Sequence, residues 1–278
     1  MSLRNDRQWY DKLYAARSKK AWAPDPDSIS YSIDHWSDRI LLVGTGIQLS
    51  RYVEDLLDKV EFRDSLGSWN LTQALSKAIA GWYHGKKVTI LNTIVTPYGS
   101  GAPYVDYALE RIRHTAGCRI VLIGECTSIN ENILPGDMIV PFNTIRDDDS
   151  HLSYASSEIP AEANIELTRR LIAWAKDSGR KVYAGTTWSC GAGAGIFDPN
   201  VADRLVHFAR LGVLANATEA ATAYLLVSMM GFQISSLWLV ADSLFQPITW
   251  KCPLQRLDWQ DGWDTLVVTA LNTLAELE

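Results

Sequence analysis

Three carboxylates stand where an acid, a base or a polar anchor can act. Glu125 follows Gly124 at the end of the apolar run 120–123, with Cys126 beside it. Asp242 follows the apolar run 234–241, and Glu219 opens a helical pattern after Asn216-Ala217-Thr218. A carboxylate at the carboxyl end of a buried strand is either a structural cap or an acid whose pKa burial raises. One in the first turn of a helix either answers the helix dipole or accepts hydrogen bonds from a ligand's hydroxyls. Open α/β sheets bind ligands just beyond their strand ends, and a glycine such as Gly124 lets the backbone come close.

Two glycine turns repeat this theme. Gly44-Thr45-Gly46 and Gly99-Ser100-Gly101-Ala102-Pro103 each follow an apolar run and precede a helical pattern. Such turns can hold an anion on backbone N–H groups and a helix N-terminus. Leu49 stands where a dinucleotide fingerprint has its third Gly, and the Lys-Ser/Thr of a P-loop is missing. Either turn alone is equally readable as a tight connection; two at one sheet edge mark a cleft.

The elements that must position these residues follow from periodicity. Short apolar runs bounded by turn residues read as strands covered on both faces. They fall at 39–43, 86–94, 120–123, 138–145, 181–187, 213–215 and 234–241. A turn-rich loop is expected to open at Gly124 and close at Leu134-Pro135-Gly136-Asp137. Helical spacing covers 4–22, 49–59, 69–80, 103–113, 162–178, 200–211, 219–230 and 262–277. Strands alternating with helices predict a mixed sheet sandwiched by helices.

Composition narrows the function classes. The chain has 278 residues, 47% apolar and 21% charged, with a net charge of −6, which excludes a disordered chain. Lysines and arginines are scattered, with no basic stripe for nucleic acid. The four cysteines lack paired metal spacing and sit mostly in apolar runs, as reduced thiols in a cytoplasmic protein would. No metal is expected. No apolar run reaches the length of a membrane span, and charges interrupt the N-terminal segment where a signal peptide would be apolar. Several of the eleven tryptophans, including Trp9, Trp22 and Trp36, lie near the termini; they fit an interface or ordinary core packing equally.

Taken in order, these pieces resemble the nucleoside phosphorylase/nucleosidase family, over about residues 38–277. The resemblance rests on Gly99-Ser-Gly-Ala-Pro103 with Glu110 downstream, Ile123-Gly-Glu-Cys126, Leu134-Pro-Gly-Asp137, Ile145 to Ser150 with Tyr154, Thr218-Glu219, and Asp242-Ser243. It implies a single-domain three-layer α/β/α fold around a central mixed sheet, covering 37–278 after a helical extension over 1–36. It also implies cleavage of an N-glycosidic bond, with no cofactor and with phosphate as a possible co-substrate. By the same resemblance Glu219 binds ribose hydroxyls with Thr218 beside it. Asp242 protonates or hydrogen-bonds the leaving base at N7, which favours a purine. Phe197 stacks on the base, and Ser189 joins the base site. Gly44, Gly124 and Arg51 line the anion or water site.

The chain departs from that pattern where phosphate would bind. Phosphorolytic members carry an Arg two residues before the strand-end Gly and a Ser or Thr after it; here those are Leu122 and Glu125. The family's first ribose-site Glu is Ala217 here. A pocket that exchanges a guanidinium for a carboxylate loses charge-assisted hydrogen bonds and repels a dianion. Three readings stay open: a hydrolase in which Glu125 orients or deprotonates water, a phosphorylase in which Arg51 holds phosphate, and a protein that binds a nucleoside or base without turnover. The partners expected are a nucleoside and further copies of the chain in a homodimer or homohexamer. The 1–36 extension, aromatic-rich and outside the family core, is expected to pack between subunits. Its deletion should lower the oligomeric mass measured by light scattering, and an unchanged mass would refute that role.

Overall fold

A computed structural model describes residues 35–44, 50–65, 77–92, 105–106, 108–109, 112–113, 115, 118–147, 154–190, 199–245 and 257–277. Strand β1 (Arg39–Val43) is flanked in parallel by β4 (Lys86–Asn92) and β5 (Arg119–Ser128). Outside β4 lie β3 (Lys77–Tyr83) and β2 (Lys59–Ser65), each antiparallel to its neighbour. Beyond β5 the strands are β6 (Met138–Asp147), β7 (Ala161–Glu162), β8 (Val182–Cys190), β9 (Ala215–Asn216) and β10 (Gln233–Ser243). The pairings run β5–β10–β6–β8–β9 and return from β9 to β5, so this half of the mixed sheet closes on itself.

Helices cover both faces. In β1, Ile40 and Leu42 join one core cluster and Leu41 and Val43 the other, as a strand buried on both sides requires. The first cluster takes α4 (Ala220–Met229) and the helical residues Val105, Ala108, Leu109 and Ile112. The second takes α2 (Ile165–Asp177) and α5 (Leu257–Ala275), which presents Trp263, Leu266, Val267, Ala270 and Leu271. The short α1 (Ser50–Leu56) follows the first glycine turn, and α3 (Pro199–Arg210) covers a third cluster around Trp188. Helix α2 starts where the Asn164 side chain accepts from the Leu167 N–H at 3.0 Å, a regular N-cap. Among the described residues no helix is long and apolar enough to cross a membrane.

Three sequence expectations are corrected. Residues 77–80 are strand, not helix, and β2 was not anticipated. The Ala-rich segment has local helical spacing, but His84 and Gly85 adopt positive φ values of 48° and 72° between Tyr83 and Lys86, which are paired. Two positive-φ residues make the tight hairpin whose twist suits paired strands, so β3 and β4 zip together. Strands β2, β3 and β4 therefore form an antiparallel meander where strand–helix alternation was expected. Nor does a loop open at Gly124: β5 runs on to Ser128, and β10 to Ser243, so Glu125 and Asp242 lie within strands.

Gly124 is required by packing. A Cβ built there would lie 2.4 Å from Cζ3 of Trp238, whose ring crosses the neighbouring strand at the same register. The buried Trp238 indole donates to Ser236 Oγ at 2.8 Å, and Ser236 also bonds the Tyr224 hydroxyl of α4, so the ring has no free direction in which to retreat. Gly124→Ala should destabilise the fold by about 1–3 kcal/mol through overpacking, read as a lowered denaturant midpoint with an unchanged m-value.

Candidate functional site

One edge of β5 carries β10 along its whole length, while the other is divided. Residues 119–123 pair with β1, and Thr127 and Ser128 pair with β9. Among the described residues, Gly124, Glu125 and Cys126 have no ladder partner on that divided edge. Here β1 leaves the sheet, its exit held by the Gly44 N–H donating to Ile123 O at 2.8 Å. A gap is left where two neighbours diverge from a shared strand, and Gly44, Gly124, Thr218 and Glu219 lie at it.

Glu219 reaches into this gap from the N-terminus of α4. Its side chain is 3% exposed, and its Oε2 accepts from Thr218 Oγ1 at 2.9 Å. A Cβ placed on Gly44 would meet Glu219 Cγ at 4.0 Å, Leu122 Cδ1 at 3.4 Å and the Ile123 carbonyl at 3.3 Å. Gly44, Leu122, Thr218 and Glu219 are thus brought together. Leu122 is fully buried, so the corner is aliphatic and acidic. The electropositive helix terminus stabilises a carboxylate held at this position.

Ser189 fixes that carboxylate's backbone. Its buried hydroxyl lies 2.7 Å from the Ala217 carbonyl and 2.9 Å from that of Thr218, as donor, and accepts from the Ala221 N–H at 3.2 Å. The residue expected at the base therefore spends its hydroxyl on the 217–221 turn. The neighbouring Ala217 N–H donates to Trp188 O at 2.8 Å, a second tie from β8.

Glu125 has a different setting. Its strand neighbours Ile123 and Val121 belong to the α5 side, and the Trp263 indole N–H donates to its Oε1 at 2.8 Å. Cys126 lies between the carboxylates: burial, then the charges of Glu125 and Glu219, push its thiol well above the ordinary range. It stays protonated at neutral pH and cannot serve as a thiolate nucleophile. Arg146, a conceivable partner for Glu125, instead donates to the carbonyls of Ala155, Ser156 and Ile159, fastening the loop after β6.

Asp242 stands on the far side of β5. A bulge at Ala241 shifts the register, so that Val240 pairs with Cys126 and Asp242 with Thr127. The bulge turns Asp242 outward, and its side chain is exposed at the carboxyl end of β10, the sheet edge that also carries Glu219. Beside the rim, Asp147 accepts from Trp188 Nε1 at 2.8 Å and from Arg204 at 2.6 Å, joining β6, β8 and α3. Phe197 and the second glycine turn lie outside the described residues, as does the side chain of Arg51.

Sequence reasoning missed Trp263, Arg204 and the bonds of Ser189 to the 217–221 segment. Trp263 lies 138 residues from Glu125, and a contact at that separation leaves no local pattern. The Asp147–Arg204 pair joins two stretches whose registers are set only by the sheet.

Comparison with known proteins agrees with this fold. The profile of the Phosphorylase superfamily matches residues 38–250. The chain is 24% identical over 214 residues to the DeoD-type purine nucleoside phosphorylase of Streptococcus suis strain 05ZYH33, covering 76% of this chain and 84% of that one. It is 26% identical over 227 residues to the DeoD-type enzyme of Streptococcus uberis, covering 79% and 86%. The structure of uridine phosphorylase from Vibrio fischeri ES114 complexed with 6-hydroxy-1-naphthoic acid aligns with a TM-score of 0.75 at 21% identity, covering 90% of this chain and 96% of that one. At that identity the likeness concerns the fold.

Removing the Ser189 hydroxyl leaves the buried Ala221 N–H and two carbonyls without their partner. Ser189→Ala should cost about 1–3 kcal/mol of stability, measured by chemical denaturation. Ser189→Thr, which keeps the hydroxyl, should recover part of that loss.

Proposed function

The chain belongs to the Phosphorylase superfamily, among the nucleoside phosphorylases, and from that premise we propose that it cleaves the N-glycosidic bond of a purine nucleoside by hydrolysis. Breaking this bond builds positive charge on the sugar and negative charge on the base. A catalyst must therefore hold the ribose, protonate the base and admit a nucleophile. In this reading Glu219, set by Thr218 and the Ser189 lock, binds the ribose hydroxyls. Asp242 is the general acid toward N7 and reaches the base from the solvent-facing rim. Phe197 supplies the stacking surface.

The lining of the Gly44 corner carries the choice of nucleophile. Leu122 offers no donor there, and Glu219 brings negative charge to the same few ångströms. An inorganic phosphate dianion placed against them loses the guanidinium contacts it needs and meets like-charge repulsion. A neutral water suffers neither penalty. Glu125 faces the α5 side of β5, held by the Trp263 indole, and Glu219 is the carboxylate nearest that water. The second reading is phosphorolysis, which the names of the relatives favour; it needs cationic help from the 45–51 segment.

Base release from purine nucleosides should proceed in phosphate-free buffer and yield free ribose. A strict dependence on added phosphate, with ribose 1-phosphate as product, would establish phosphorolysis instead. Asp242→Asn should lower turnover by about 10²–10⁴-fold, the usual reach of general acid catalysis, and the exposed side chain makes little change in melting temperature. Equal loss of activity and of folding would remove Asp242 from the mechanism.

A further inference from the structure

We propose that Asn216 determines which base is accepted and selects purines bearing an amino group beside N7. This rests on the nucleoside-cleavage reading. The registers place Asp242 of β10, Thr127 of β5, Asn216 of β9 and Trp188 of β8 in one row across four strands at the rim. Residues directly paired across a sheet share a face, so the row is continuous. It ends in Trp188, fully buried and held through its indole by Asp147. Asp242, Thr127 and Asn216 keep some exposure.

Among the described residues, the buried Asn216 Oδ1 has no hydrogen-bond partner. An acceptor taken out of water and left unpaired is destabilising, and a residue kept in that state awaits a donor. The donor's position follows from the row. Adjacent strands lie about 4.8 Å apart, so Asn216 stands about 10 Å from Asp242 with Thr127 between them. A base whose N7 faces Asp242 carries its 6-substituent on the same edge, along the row towards Thr127 and Asn216. The same segment places Glu219 three residues beyond Asn216, so one turn holds both the sugar and the base. With Oδ1 turned to the base, a 6-amino group donates an N–H to it, whereas a 6-oxo group sets acceptor against acceptor. The chemical class selected is therefore a 6-aminopurine nucleoside.

The test compares adenosine with inosine on the full chain. The wild type should favour adenosine by roughly tenfold in kcat/KM, the scale of one hydrogen bond gained against an unpaired acceptor. Asn216→Leu should bring that ratio to about unity, with the change carried mainly by KM. Asn216→Asp, which holds only acceptors, should keep the preference, and it serves if the leucine variant does not fold. A wild-type preference for inosine, or an unchanged ratio in Asn216→Leu, overturns the inference. If neither nucleoside is cleaved, thermal shifts with adenine and hypoxanthine decide separately. A larger shift with adenine, lost in Asn216→Leu, supports the role of Asn216 while the cleavage reading fails; equal shifts, or none, overturn both.

Discussion

Strand β5 has two edges and three neighbours, and the rest of the site follows from how that shortage is met. One edge is committed to β10 along its whole length, so β1 and β9 must divide the other. They cannot meet, because β1 leaves as a parallel strand and β9 arrives antiparallel. The gap they leave, at Gly124 to Cys126, has no ladder partner on that edge among the described residues, inside an otherwise paired sheet. Gly44 and Glu219, at the N-terminus of α4, lie against it.

Holding a carboxylate in that gap makes demands on the surroundings. Helix α4 is buried along its length, Ala220 to Val227, so nothing on its flanks is available to adjust Glu219 from solvent. The adjustment comes from β8, through Ser189 and the Trp188 carbonyl, while Trp188 is itself held by Asp147 and flanked by Arg204. Stability and the setting of Glu219 share these bonds. The hydroxyl that satisfies the start of α4 is also the one that aims Glu219.

The two remaining carboxylates are treated oppositely. Glu125 follows the strand alternation into the α5 side, where an indole N–H receives it. Asp242 escapes alternation through a one-residue bulge and faces outward at the rim. A bulge is the ordinary means of re-aiming a side chain at a sheet edge without disturbing the strand below it. Trp238, two residues before Val240, shows why that lower part must not move: its ring already occupies the space beside Gly124.

Much of this was legible in the residues alone. Continuous apolar runs gave β1, β5 and β10, and motif order placed the chain in its family, because burial on both faces and strand-end glycines are local properties of a sequence. Glu219 at a helix start and Asp242 near a strand end were read the same way. The hairpin at His84-Gly85 was missed because an Ala-rich strand has the spacing of a helix until its partner is known. The extension of β5 through Glu125, the bulge at Ala241, the Trp263 contact and the Ser189 lock were decided only in three dimensions. Each depends on which strands become neighbours and in what register, and contacts between residues so distant in the chain follow from the closing of the sheet.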